Sequence, residues 1–168
     1  IICHSDKLVN TEVSKCTNLI NIDLSNCTNL GKGTAAATTL DVTNCSELEY
    51  IDIRGTALQG VQTNPLGSSV KEIWFPSTVE SVSLSNCAKL KIVGIGINSS
   101  CKEMRLINCP NVETFGENTY NNNTNKYLYA PDMFLQNIIT LYLDNSWDQE
   151  SLFFGRLQSL ENITVKNN

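Results

Sequence analysis

Apolar and polar residues alternate in short bursts along this chain, and the same burst keeps returning. The clearest copy is Leu19-Ile20-Asn21-Ile22-Asp23-Leu24-Ser25-Asn26-Cys27-Thr28-Asn29-Leu30. Leu40-Asp41-Val42-Thr43-Asn44-Cys45 repeats its second half, and Val79 to Leu90 and Cys101 to Val112 repeat all of it. Looser copies follow at Ile138, Leu141, Leu143 and Asn145, then at Leu160, Ile163, Val165 and Asn167. Alternation of this kind marks strands with one buried face.

The first apolar residues of the bursts, Ile22, Leu40, Val61, Val82 and Met104, lie 18, 21, 21 and 22 residues apart. A second series at Ile51, Ile73, Val93 and Phe115 steps 22, 20 and 22 residues, half a period out of phase. Each coil of about 21 residues then carries two short extended segments, with no room for a helix between them. A strand pair this short cannot bury its apolar face alone, whereas stacked coils share one continuous core. The expected fold is mainly β: a right-handed solenoid of about eight coils over residues 1–168, a single domain and a rod roughly 35–40 Å long. Asn26, Asn44, Asn86 and Asn108 are expected to form one ladder at the strand ends, with Cys27, Cys45, Cys87 and Cys109 beside it.

The stretch L-x-x-I-x-L-x-N-C-x-x-L resembles the leucine-rich-repeat consensus, with Asn and Cys arriving one residue early. Phe75-Pro76-Ser77-Thr78-Val79-Glu80-Ser81-Val82, with Cys87 and Leu90 after it, is similar to bacterial surface repeats of the BspA type. The I-G-x-x-A-F box of those repeats is absent. The resemblance implies a leucine-rich-repeat solenoid used for recognition.

The pattern breaks in three places. Gly31 to Ala37 replaces a regular half-coil. Residues 116–137 form an expanded coil, with an Asn-rich polar loop over 116–126 and a strand and turn over 127–134. Residues 149–168 are expected to cap the last coil, with a short helix within 149–160.

Composition narrows the function. With 12 Lys and Arg against 17 Asp and Glu, the net charge is −5, and the pI near 4.8 argues against a nucleic-acid partner. No apolar run is long enough for a membrane span. The opening Ile1-Ile2-Cys3-His4 lacks Met and a signal pattern, so the chain is expected to be a processed product or part of a longer one; a cell surface or virion would suit it.

The seven cysteines follow the repeat and not the close pairs of zinc sites, so packed free thiols are expected, with Cys101 and Cys109 the first pair to examine for a bond. His4, the only histidine, lies in a stretch expected to fray. Glu47 with Glu49, and Asp148 with Glu150, read as solvated rims; Gly94-Ile95-Gly96 reads as strand packing. Of the glycosylation sequons only the one at Asn122 falls in an expected loop. No catalytic residue, metal or cofactor is expected.

Binding candidates are the outward strand positions: Asp23, Asp41, Ser83 and Arg105 on the Asn-Cys flank, and Asp52, Arg54, Trp74 and Gly94 on the other. Trp74 alternates between Ile73 and Phe75, so it points outward, either exposed as an interface residue or covered by a neighbouring loop. Tyr120, Tyr127, Tyr129 and Trp147 form a second aromatic group near the expanded coil. These features predict a non-catalytic recognition module for a protein or glycan. The alternative is a structural or spacer segment of a larger assembly, such as a phage tail protein or bacterial adhesin.

Overall fold

The computed structural model describes residues 1–33, 38–65, 67–96, 99–121, 126–130, 137–146 and 159–167. Its strands are β1 (Asn21–Asp23), β2 (Thr39–Asp41), β3 (Tyr50–Asp52), β4 (Gly60–Gln62), β5 (Glu72–Phe75), β6 (Ser81–Ser85), β7 (Ile92–Gly96), β8 (Glu103–Ile107), β9 (Thr114–Asn121), β10 (Lys126–Ala130), β11 (Thr140–Asp144) and β12 (Asn162–Lys166). No helix occurs among the described residues. The expected helix within 149–160 lies largely outside them.

The strands sort into two flanks. One is a single sheet in the order β1-β3-β5-β7-β9-β10, parallel up to β9. The other holds β2-β4 and then β6-β8-β11-β12, all parallel pairs, with no ladder joining β4 to β6. From β1 to β9 the chain visits the flanks alternately, so this is a stacked β-solenoid. Backbone bonds carry the ladder round the corners: Lys71 N donates to Glu49 O at 2.8 Å, Lys91 N to Lys71 O at 2.8 Å and Glu113 N to Lys91 O at 3.0 Å.

Between the flanks lies the core. On the first flank Ile22, Ile51, Ile73 and Val93 form one buried row, and Leu24, Ile53, Phe75 and Ile95 the next. On the second flank Val82, Met104 and Leu141 stand in register, followed by Leu84, Leu106 and Leu143. Burying each such side chain contributes about 1.5–3 kcal/mol before ordering costs, which is why single strands of three to five residues suffice once stacked.

Three expectations change. The described residues build about four turns, not eight. Dividing the whole chain by one period ignored long steps, 29 residues from Ile22 to Ile51 and 37 from Met104 to Leu141, and the N-terminal residues before β1. Secondly, Ile22 pairs with Ile51, so β1 belongs to the flank opposite Leu40 and Val61. Asn26 and Cys27 therefore leave the expected ladder. Asn26 has φ 62° and donates its N–H to Arg54 O at 2.7 Å, and Gly55 (φ 70°) takes the same left-handed corner one layer on. A Cβ on Gly55 would also meet the Asn26 Oδ1 at 3.0 Å.

The ladder that does form is Asn86, Asn108, Asn145 and Asn167, all with φ between 48° and 55°. Asn108 Nδ2 donates to Asn86 Oδ1 at 3.0 Å, and each backbone N–H from Asn86 to Asn145 reaches the next layer. Asn is one of few residues that tolerate this corner. Thirdly, the expected polar loop over 116–126 is strand through Asn121, pairing antiparallel with β10; Tyr120 is the Cα partner of Tyr127 and Tyr129 that of Asn118. Residues 122–125, within the same expected loop, and 131–136 lie outside the described residues.

Candidate functional site

The outward row of the first flank runs Asp23, Asp52, Trp74, Gly94 and Gly116 in register. Alternation aims Trp74 away from the core, as expected, but its residue is only 4% exposed. Its ring lies on the bare backbone of Gly94: a Cβ there would fall 1.8 Å from Trp74 Cε3. The Arg54 guanidinium covers the ring 5.0 Å from its centroid, and Trp74 Nε1 donates to the Glu72 carboxylate.

Asp52 sits beneath this cover at 1% exposure. Its carboxylate accepts from the Arg54 backbone N–H at 3.0 Å, from Arg54 Nε at 2.8 Å and from the Tyr50 hydroxyl at 3.2 Å, and is ion-paired with the Arg54 fork. Such multiple bonding is what a buried carboxylate requires. Burial, followed by the charge on Asp52, pushes the Tyr50 phenol well above its ordinary range. Asp52, Arg54 (side chain 11% exposed) and Trp74 are thus brought together as a closed network: Asp52 and Arg54 are not the open binding positions the sequence predicted, and Trp74 takes the covered alternative, under the Arg54 side chain and not under a loop.

The outer face of the second flank is different. Ser83, Arg105, Tyr142 and Thr164 form one row across β6, β8, β11 and β12. Arg105, 43% exposed, stacks 4.3 Å from the Tyr142 ring centroid, and Lys166 Nζ stands 5.6 Å from the same ring. The Tyr142 hydroxyl donates to Asp144 at 3.4 Å, and Arg105 lies 3.9 Å from Glu103. Two cations over a half-buried tyrosine ring, with two carboxylates beside them, are therefore gathered on the outer face of three neighbouring strands. Tyr142 escaped the sequence reading because the long step from β8 hid its register with Arg105. Trp147 lies outside the described residues, and Tyr120, Tyr127 and Tyr129 are described only by strand register.

His4 does not fray as expected. Cys3 N donates to Asp23 O at 2.9 Å, and His4 Nδ1 lies 2.8 Å from Ser25 O and 3.2 Å from Ser25 Oγ, with Nε2 3.8 Å from Asp23 Oδ2. Ser, His and Asp are thus gathered, but in the wrong order for nucleophilic catalysis. A carbonyl only accepts, so the 2.8 Å contact puts the proton on Nδ1, where it cannot take one from Ser25. Ser25 is itself buried.

The cysteines also regroup. Cys109 contacts Cys87 one layer away, while Cys101 donates to Glu103 O at 3.2 Å, so Cys101 and Cys109, the first pair to examine for a bond, are not joined. The Cys109 hydrogen bond holds the Cys87 thiol below its ordinary range, whereas burial pushes Cys101 up to about 11. Among the described residues no group of three His, Cys, Asp or Glu is placed to hold a metal ion, and no helix there is long and apolar enough to cross a membrane. A corner cleft of about 420 Å³ is lined by Thr28, Lys32, Gly55, Gln59 and Pro76, among others, with Lys32 its one titratable side chain.

No family model, no curated protein and no solved structure matches the chain.

Proposed function

We propose that this chain is a non-catalytic recognition module that binds a protein or glycan through the outer face of its second flank. The observation that carries the reading is the half-exposed Arg105 stacked on Tyr142 with Lys166 beside the same ring. Stacked aromatic and guanidinium groups are over-represented where binding energy concentrates. Rigid parallel strands hold them in place, and the misordered His4, Ser25 and Asp23 favour a non-catalytic role. We ascribe the repeat to the leucine-rich type on its L-x-x-I-x-L-x-N-C spacing, to which the left-handed Asn corners add support.

The test is a glycan array, with cross-linking to candidate surface proteins, run on the intact chain, Arg105→Ala and Tyr142→Ala. Binding that drops at least tenfold in both variants, with unchanged circular dichroism, supports the reading. Ligands retained by both variants refute it.

One observation favours a second reading, a structural segment of a larger assembly. Ile163 and Val165 occupy the core-facing rows of Leu141 and Leu143 but are 46% and 49% exposed on β12. An apolar strand edge of this kind accepts another strand. Sedimentation showing reversible self-association that Ile163→Lys abolishes would favour this reading.

A further inference from the structure

The segment before β1 adds only an isolated bridge, Ile2 with Asp23, yet it is fastened to the first turn on both flanks. Beside β1, Asp23 N donates to Ile1 O and Cys3 N to Asp23 O, both at 2.9 Å. Towards the second flank, Gly31 N donates to Val9 O at 3.2 Å, and Val13 is buried in the core.

A pair of cysteines stands at each fastening. Cys27 Sγ donates to Cys3 O at 3.1 Å, which sets the sulfur against the backbone of Cys3. Cys45 Sγ donates to Val13 O at 3.2 Å, the same oxygen that the Cys16 N–H reaches at 2.9 Å, so one carbonyl brings the two residues together. Each pair has one reachable member: Cys16 is exposed and Cys3 partly so, whereas Cys27 and Cys45 are buried. All seven thiols are free in this structure.

We propose that Cys3–Cys27 and Cys16–Cys45 are disulfide-forming sites, one per flank, which staple the N-terminal segment to the first turn when the protein meets a low-molecular-weight disulfide. The reachable thiolate, Cys16 or Cys3, attacks the reagent RSSR, forming a protein–S–SR bond and expelling one RS⁻. The buried partner then loses its proton to solvent and attacks the protein sulfur of that mixed disulfide. The cross-layer S–S bond forms and the second RS⁻ leaves. Two protein thiols are oxidised and one reagent disulfide is reduced to two thiols. Burial raises both resolving thiols, Cys27 and Cys45, so the second step limits the rate and quickens with pH. Cys87 and Cys109 touch as well, but neither has exposed surface, so they stay reduced while the chain is folded.

The test equilibrates the folded full chain with oxidised glutathione, then denatures it in acid with a maleimide and maps the peptides without reduction. Trypsin with an Asp-directed protease places Cys3, Cys16, Cys27 and Cys45 on four different peptides. The expected result is a Cys3–Cys27 and a Cys16–Cys45 cross-linked peptide, with Cys87, Cys101 and Cys109 alkylated. The Tm rises by roughly 5–10 °C per bond and returns on reduction. Cys16→Ser, an exposed position, leaves Cys45 alkylated while Cys3–Cys27 still forms. Seven alkylated cysteines at equilibrium, a Cys101–Cys109 bond, or Cys45 bonded to another partner in Cys16→Ser overturns the proposal.

Discussion

Replacing Gly94 with alanine adds one methyl group, and the structure says where it goes. The new Cβ falls 1.8 Å from Trp74 Cε3 and 2.0 Å from Cζ3. Neither atom is the far end of a flexible chain, because the ring is held by Glu72 at Nε1 and by Arg54 across its face. The ring must therefore lift, and forcing a methyl into a packed site costs about 1–3 kcal/mol. Lifting also loosens the Arg54 stack, worth about 0.5–2 kcal/mol. We expect Gly94→Ala to lower stability by about 2–4 kcal/mol, a fall in Tm of roughly 4–16 °C. Trp74→Ala alone should cost about 3–5 kcal/mol. In the double variant the added methyl occupies room the ring has left, so the pair should cost about 1–3 kcal/mol less than the sum of the singles. Urea unfolding followed by circular dichroism, with m held constant across the four proteins, measures this. Strict additivity would show that the ring does not rest on Gly94.

Further tests address other parts of the fold. Asp52→Asn leaves the Arg54 charge without its ion partner in a nearly buried site, and should cost about 3–5 kcal/mol in the same urea assay. Asn108→Ala puts a residue less tolerant of the left-handed region at φ 53° and removes the bond to Asn86; it should destabilise by about 1–3 kcal/mol, whereas Asn108→Gly should cost less than half of that. The folded chain holds the Tyr50 proton more tightly than the unfolded chain does. That contribution is therefore complete below about pH 10, the ordinary phenol value, and shrinks as pH climbs above it. The urea midpoint should fall as pH rises from about 10 to 12, and Tyr50→Phe should flatten that slope; an unchanged slope would show that the phenol is not protected.

Much of the solenoid was legible because its core rows need one apolar residue every second position. Ile51, Ile73 and Val93 were found at their observed register, as were Val82 and Met104. Ile22 was placed on the wrong flank for a physical reason: both flanks end their strands in a left-handed corner, and Asn serves at either. Ile22-Asp23-Leu24-Ser25-Asn26-Cys27 therefore looks the same as Val82 to Cys87. The available signal was Gly55, which follows Ile51 at the spacing by which Asn26 follows Ile22. The outward direction of Trp74 was also legible, since it needs only alternation. Whether it is covered was left open, and what covers it was not legible, because that depends on Arg54 and Gly94, both some 20 residues away. Likewise nothing local in the sequence places His4 against Ser25.

The unshifted register of neighbouring layers makes the length of this molecule divisible. Ser85 pairs with Ile107, Trp74 with Gly94 and Gly94 with Gly116, with no slip between layers. Excising residues 86–107 joins Ser85 directly to Asn108, the residue that opens the next left-handed corner. β9 would then meet β5 with Phe115 in the place of Val93, and the Trp74 ring would again come down on a glycine, Gly116. A whole turn can thus be removed, or by the same logic duplicated, as a unit that carries its own corner, its own core rungs and its own seat for the ring above.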